Sequence, residues 1–334
     1  MDTGTHFAMG FGLAGLAYLD PTVASQPELA NAVLLGTILG SQAPDIDTVL
    51  KLKGNAIYIR NHRGNTHSFP AVLIWGGLIS AILYAFSPGI SFLHLFLWTL
   101  LAVMVHVGMD IFNAYGTQVT KPVNKKWLSL NTINIFDPFI MGIHVVGFIL
   151  WKIGYHPGHV FAGIYAVMIV YMIQRVLAYR STIQYAQNYL GIKGRYTLLP
   201  SLIWGRWRLI VENDQRYYVG QIKNKEIILH DSFDKHAEKI EPVLEKAKKD
   251  KNISAFLSFS RYAHVTTNEL EYGYEVKWID LRYRTKTHYA FIAIAHLDKQ
   301  LNILDSYTGW EYREHKISEK LVYALDENYL RQRY

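Results

Sequence analysis

Apolar runs and polar clusters alternate along the first half of the chain. Apolar runs occupy Phe7 to Leu19, Leu29 to Leu39, Phe69 to Phe86, Phe92 to Val105, Phe139 to Trp151 and Val160 to Leu177. Such runs predict helices, and the longer ones predict spans, since about 20 apolar residues cross a hydrocarbon core. The first two are short for a full span. From Tyr196 the pattern changes to period two. Arg206 to Val211, Gln215 to Ile222 and Lys225 to His230 then read as short strands, and Glu238 to Lys249 as an amphipathic helix. Thr266 to Arg284, Lys286 to Ala295 and Gln300 to Leu304 read as further strands. The expected fold is an α-helical membrane domain of about six apolar helices over residues 1–180, followed by a small soluble α+β domain over residues 195–334 with one antiparallel sheet.

The polar clusters sit at the ends of the runs. If every run crosses, His6 opens the first and Asp45 and Asp47 close the second. His62 and His67 precede the third, His106 and Asp110 lie near the end of the fourth, and Asp137 precedes the fifth. Starts of odd runs and ends of even runs share one face, so all eight residues gather there. The loops on that face carry Lys51, Lys53, Arg60, Arg63, Lys121, Lys125 and Lys126, while the opposite loops carry almost no positive charge. The positive-inside rule then places the cluster in the cytoplasm of a multi-pass plasma-membrane protein, with the C-terminal domain on the same side.

Composition narrows the chemistry. The chain has 334 residues and no cysteine, so disulfides, thiolate zinc sites and cysteine nucleophiles are excluded. A metal here must be held by imidazole and carboxylate. The net charge of +7 is modest, and basic residues beside lipid headgroups account for it. Nucleic acid is not an expected partner, and no helix-turn-helix is apparent. Membrane lipids are the expected partners, beside an unknown substrate.

His106 and Asp110, four apart on a helix, point the same way. Ionisable residues inside or ending an apolar run are costly without a partner. A helix-to-helix hydrogen bond would also satisfy them. His62 and His67 lie in a loop that can fold both rings to one point. Asp45 and Asp47 follow Pro44, where a helix ends. The ligand set suits Zn²⁺ first, with Mn²⁺ or Fe²⁺ as alternatives, as one or two ions. Arg63 is a candidate phosphate contact, Thr66 and Ser68 can orient ligands, and the Thr66-His67-Ser68 stretch also reads as a helix cap. Isolated histidines such as His94, His144, His156 and His159 read as structural or interfacial.

Thr5-His6, Pro44-Asp45-Ile46-Asp47, His62-Arg63-Gly64-Asn65-Thr66-His67-Ser68 and His106-Val107-Gly108-Met109-Asp110, followed by Asn113 to Thr117, resemble the YdjM-type membrane-bound metal-dependent hydrolase family. The resemblance covers about residues 1–180. The opening Met1 to His6 and the added soluble domain resemble the longer, YfhP-like branch. The family is thought to be related to the zinc-dependent phospholipase C and P1 nuclease group, which implies a helical metal site and phosphoester substrates. It implies hydrolase activity, with His6, Asp45, His62, His67, His106 and Asp110 as ligands. Asp47, Arg63 and Asp137 are the expected catalytic groups. The expected function is hydrolysis of a phosphoester, lipid-derived among the candidates, by metal-activated water. Two other classes fit the same residues: a metal-binding or transport protein without catalysis, and a regulatory membrane protein acting through its C-terminal domain.

Overall fold

In the first half, every apolar run becomes a helix, and each starts or stops at a residue that dictates it. The computed structural model describes residues 1–236, 240–313 and 321. α1 (Thr3–Leu16) is capped by Asp2, and α2 (Pro21–Ser25) by Asp20. α3 (Pro27–Gln42) gives way to 3₁₀ turns over Ala43–Lys53, where Pro44 cannot continue the α-helical ladder. α4 (Asn55–Asn61) leads to the loop that carries His62 and His67. α5 (Phe69–Phe86) starts at Ser68, whose hydroxyl accepts from Ala71 N–H, the cap expected there. α6 (Phe92–Phe112), α7 (Pro138–Lys152) and α8 (Pro157–Leu190) complete the helical half.

Among the described residues, three helices are long and apolar enough to cross a membrane: α5, α6 and α8. α1, α3 and α7, with 14, 16 and 15 residues, fall short of the about 20 that a span needs, so the helix lengths do not give the expected six spans. α1 is packed inside the bundle. A Cβ at Gly10 would stand 2.7 Å from the Thr37 carbonyl of α3, and one at Gly15 would stand 2.3 Å from the Phe161 ring of α8. Met9, Leu13, Ile140, Phe161 and Tyr165 close the core around it.

The second half departs from the expectation of one antiparallel sheet. The described residues form two, each four-stranded and antiparallel. β1 (Arg195–Pro200), β2 (Arg206–Glu212), β3 (Arg216–Lys223) and β4 (Glu226–Asp234) form the first in chain order. α9 (Glu241–Ala247) and α10 (Lys251–Phe259) intervene and take the chain away from β4. Of the helix expected over Glu238 to Lys249, Glu238 and Lys239 lie outside the described residues. β5 (Ala263–Leu270), β6 (Gly273–Asp280), β7 (Phe291–Asp298) and β8 (Ile303–Trp310) form the second sheet. The single strand expected over Thr266 to Arg284 is a hairpin, with Leu270 facing Gly273.

The halves share their cores. The last turns of α8 run past the end of the apolar stretch and pack Ala186, Ile183 and Tyr179 on Leu198, Trp207 and Leu209 of the first sheet. Ile59 of α4 and Tyr115 after α6 pack on the core of the second sheet, beside Phe256, Phe291 and Trp310. The second sheet therefore sits over the polar ends of the helices.

Candidate metal centre

Four side chains from three segments meet at one buried point. Asp45 comes from the 3₁₀ turns, His67 from the loop before α5, and His106 and Asp110 from one face of α6. One ligand atom from each lies within 4.8 Å of all the others. His67 Nε2 is 3.3 Å from His106 Nε2, 3.5 Å from Asp45 Oδ1 and 3.4 Å from Asp110 Oδ2. His106 Nε2 is 3.8 Å from Asp45 Oδ1 and 3.7 Å from Asp110 Oδ2.

The surrounding hydrogen bonds decide where the protons are. His106 Nδ1 lies 2.6 Å from the Ser41 carbonyl, which can only accept, so Nδ1 carries the proton. Thr66 Oγ1 donates its one proton to Asp47 Oδ2 at 2.9 Å, so at 3.1 Å from His67 Nδ1 it accepts. Both imidazoles therefore turn a bare Nε2 lone pair to the centre. The carboxylates behave likewise. Asp110 Oδ1 takes Asn113 Nδ2 at 3.1 Å, Arg63 Nη2 at 3.1 Å and the Met1 amino group, while Oδ2 has no hydrogen-bond partner. Asp45 Oδ1 has none either. Buried acceptors without donors are costly. Two of them beside two imidazole lone pairs form a donor set that a divalent cation satisfies, and nitrogen with carboxylate oxygen suits Zn²⁺.

The other expected residues stand around this point. His6 stacks on His106 with ring centroids 3.7 Å apart, and its Nε2 is 3.3 Å from Asp110 Oδ1. It adjoins the four converging side chains without being one of that set. Asp47 accepts from His62 Nδ1 at 2.7 Å, from Arg63 N–H at 2.8 Å and from Thr66. With Asp45 and Asp47, His62 forms a second group of metal-ligand geometry that shares Asp45 with the first. An ion between Asp47 and His62 would displace their direct hydrogen bond. Arg63 is 3 % exposed and adopts φ 57°, a left-handed conformation costly for a side chain of its size. Its guanidinium donates to Asn113 Oδ1 and the Met1 carbonyl, at 3.2 Å each, besides Asp110. Three partners within the chain hold the candidate phosphate contact. Asp137 is not brought to the centre. It caps α7 through Phe139 and Ile140 N–H and accepts the Tyr171 hydroxyl at 2.8 Å.

Burial alone would raise the Asp45 carboxyl, but the side chains of His67, His106 and Arg63 outweigh it and hold the group ionised, below the usual carboxylate range. Asp47 is likewise depressed: burial opposes, and His62 with the Arg63 N–H prevails. Burial lowers His67 and so favours the neutral form that a metal ligand needs. Burial beside Asp47 and Asp45 pushes the Tyr58 phenol up to about 12.

Reading the residues alone passed over two contributors. The Ser41 carbonyl and the Met1 carbonyl are backbone groups and carry no residue signature. Asn113 lies on the His106 face, which was legible, but its Oδ1 also accepts from Tyr115 and Gly116 N–H and ties the loop after α6 to the site.

Comparison with known proteins follows the same division of the chain. Residues 1–182 match the family described as YdjM inner membrane protein. Residues 197–233 match the YfhP middle domain, and residues 242–321 the YfhP C-terminal alpha/beta plait domain. A protein of Bacillus subtilis (strain 168), described as "Uncharacterized protein YfhP", is 47 % identical over 322 residues, covering 96 % of this chain and 98 % of the relative. No solved structure matches.

Proposed function

The chain belongs to the YdjM inner membrane protein family, and from that premise we propose that it is a multi-pass membrane hydrolase that uses a divalent metal ion on a phosphoester at the cytoplasmic face. One observation carries this reading: ligand atoms of His67, His106, Asp45 and Asp110 converge on one buried point, all within 4.8 Å of one another. Zn²⁺ held there supplies Lewis acidity and lowers the pKa of a bound water. The remaining work falls to the chain. Asp47 receives the Nδ1 proton of His62, which leaves His62 Nε2 free to take or give a proton at the rim of the site. Arg63 neutralises Asp110 and holds it against Asn113. Exposed Lys51, Lys53, Arg60, Lys125 and Lys126 around this end favour the cytoplasmic side.

Elemental analysis of the purified chain tests the premise, and turnover tests the reaction. The wild type should hold Zn²⁺ or Mn²⁺, and the double variant His67→Ala, His106→Ala should hold none while keeping its helical content. Equal metal content in both would end the proposal. With metal bound, bis(p-nitrophenyl) phosphate or phospholipid vesicles should be turned over, and His67→Ala should abolish it. Metal without turnover of any phosphoester would leave a metal-binding protein and no hydrolase.

A further inference from the structure

A cavity of about 350 Å³ lies between the two halves, beside the metal centre, and its walls are rings. Tyr58 and Tyr115 come from the helical half, and Phe259, Phe291, Tyr307 and Trp310 from the second sheet and its helix. The rings already pack on one another: Phe291 and Trp310 have centroids 5.0 Å apart, and Tyr115 and Phe259 5.6 Å apart. His62 lines the same cavity, stacked on Tyr58 at 4.6 Å, and Asp47 joins it to the centre. Lys51 Nζ stands 4.6 Å from the Tyr58 ring and supplies a positive charge at the wall.

Resting on the hydrolase reading above, we propose that this cavity seats a flat aromatic or heteroaromatic ring of the substrate, and that the phosphate attached to that ring reaches past His62 to the metal centre. Ring walls favour an offset-stacked planar guest. Lys51 favours an anionic molecule and disfavours a quaternary ammonium, the other guest of aromatic cages. An acyl chain fits poorly, because no residue of the spans α5, α6 and α8 lines the cavity. The C-terminal half thereby acts as the specificity wall of a site whose ligands all lie in the helical half.

Binding to the purified full chain loaded with Zn²⁺, measured by titration calorimetry, tests this without turnover. The probes are phenylphosphonate, methylphosphonate and benzyl alcohol. Phenylphosphonate should bind about tenfold more tightly than methylphosphonate, the ratio one stacked ring gives. Tyr58→Ala and the cavity-filling Ile59→Trp should erase that advantage and leave methylphosphonate unchanged, which also shows that each variant is folded. Equal, Zn²⁺-dependent binding of the two phosphonates to the wild type would overturn the ring seat and leave the phosphoester reading standing. Benzyl alcohol binding that Tyr58→Ala abolishes, with no binding of either phosphonate, would overturn the phosphoester reading and the linked ring-phosphate substrate with it. No binding of any probe overturns both.

Discussion

Replacing Thr66 by Val removes one hydroxyl and keeps the shape of the side chain. That hydroxyl accepts from His67 Nδ1 at 3.1 Å and donates to Asp47 Oδ2 at 2.9 Å. Without it the Nδ1 proton of a fully buried ring has no partner, at a cost of about 1–3 kcal/mol. The ring can escape by turning, or by moving its proton to Nε2. Either change removes the lone pair that faces the centre. Loss of such an outer partner lowers metal affinity about 10–100-fold, or about 1.4–2.7 kcal/mol, the same range as the unmet donor. Thr66→Ser keeps the hydroxyl and should stay within about threefold of the wild type. Zn²⁺ affinity measured by competition with a chromophoric chelator reads the effect, and melting temperature in the same detergent controls for folding. The reasoning fails if Thr66→Val holds Zn²⁺ within about twofold of the wild type, or if Ser proves as weak as Val.

Other perturbations separate the centre from its frame. Asp137→Ala should cost about 1 kcal/mol of thermal stability through its lost helix cap and leave Zn²⁺ affinity intact, and a fall in affinity would put Asp137 back in the site. Gly10→Val sets a Cβ 2.3 Å from Ser41 Oγ and 2.7 Å from the Thr37 carbonyl, so stability should drop by about 1–3 kcal/mol. Because the Ser41 carbonyl holds His106, Zn²⁺ affinity should fall with it, and unchanged affinity would refute that link. Asp280→Ala strands the buried Arg282 guanidinium, now 2.7 Å from Asp280 Oδ2, and should cost about 3–5 kcal/mol in a chemical melt followed by tryptophan fluorescence. The metal-free chain should also lose stability as pH falls from about 6.5 towards 5, by up to about 1.4 kcal/mol per unit from His67 alone, since burial depresses its folded pKa and the unfolded chain takes the proton first. His67→Gln should flatten that slope, measured by melting temperature against pH, and an equal slope would count against the depressed histidine.

What could be read from the residues was whatever a single segment decides. An imidazole and a carboxylate four apart at the end of an apolar helix cannot be left alone, so His106 and Asp110 announced a partner before any fold was known. Position alone does not separate Asp45 from Asp47, and it was the resemblance that set Asp45 among the ligands and Asp47 among the catalytic groups. The 3₁₀ turns send Asp45 towards His67 and His106, and Asp47 back to His62, Arg63 and Thr66. Tertiary hydrogen bonds make that distinction. The second sheet was hidden for a local reason: its first hairpin turns on Glu271 and Tyr272, without the Asn-Gly or Asp-Gly pair that marks such a turn. Helix length leaves the six spans unconfirmed, and α1, short for a span, has a packing role. Its glycines admit α3 and Phe161, and the close approach sets Ser41 against His106. The division of labour between the halves was the least legible feature. Tyr115 reads as one more residue of a loop, yet it lies 5.6 Å from the Arg63 guanidinium on one side and packs with Phe259, Tyr283 and Trp310 on the other. Its backbone N–H is held by Asn113, the same side chain that binds Asp110. A displacement of the second sheet would therefore reach Asp110 through two side chains, Tyr115 and Asn113, which gives the C-terminal half a physical route to the candidate metal centre.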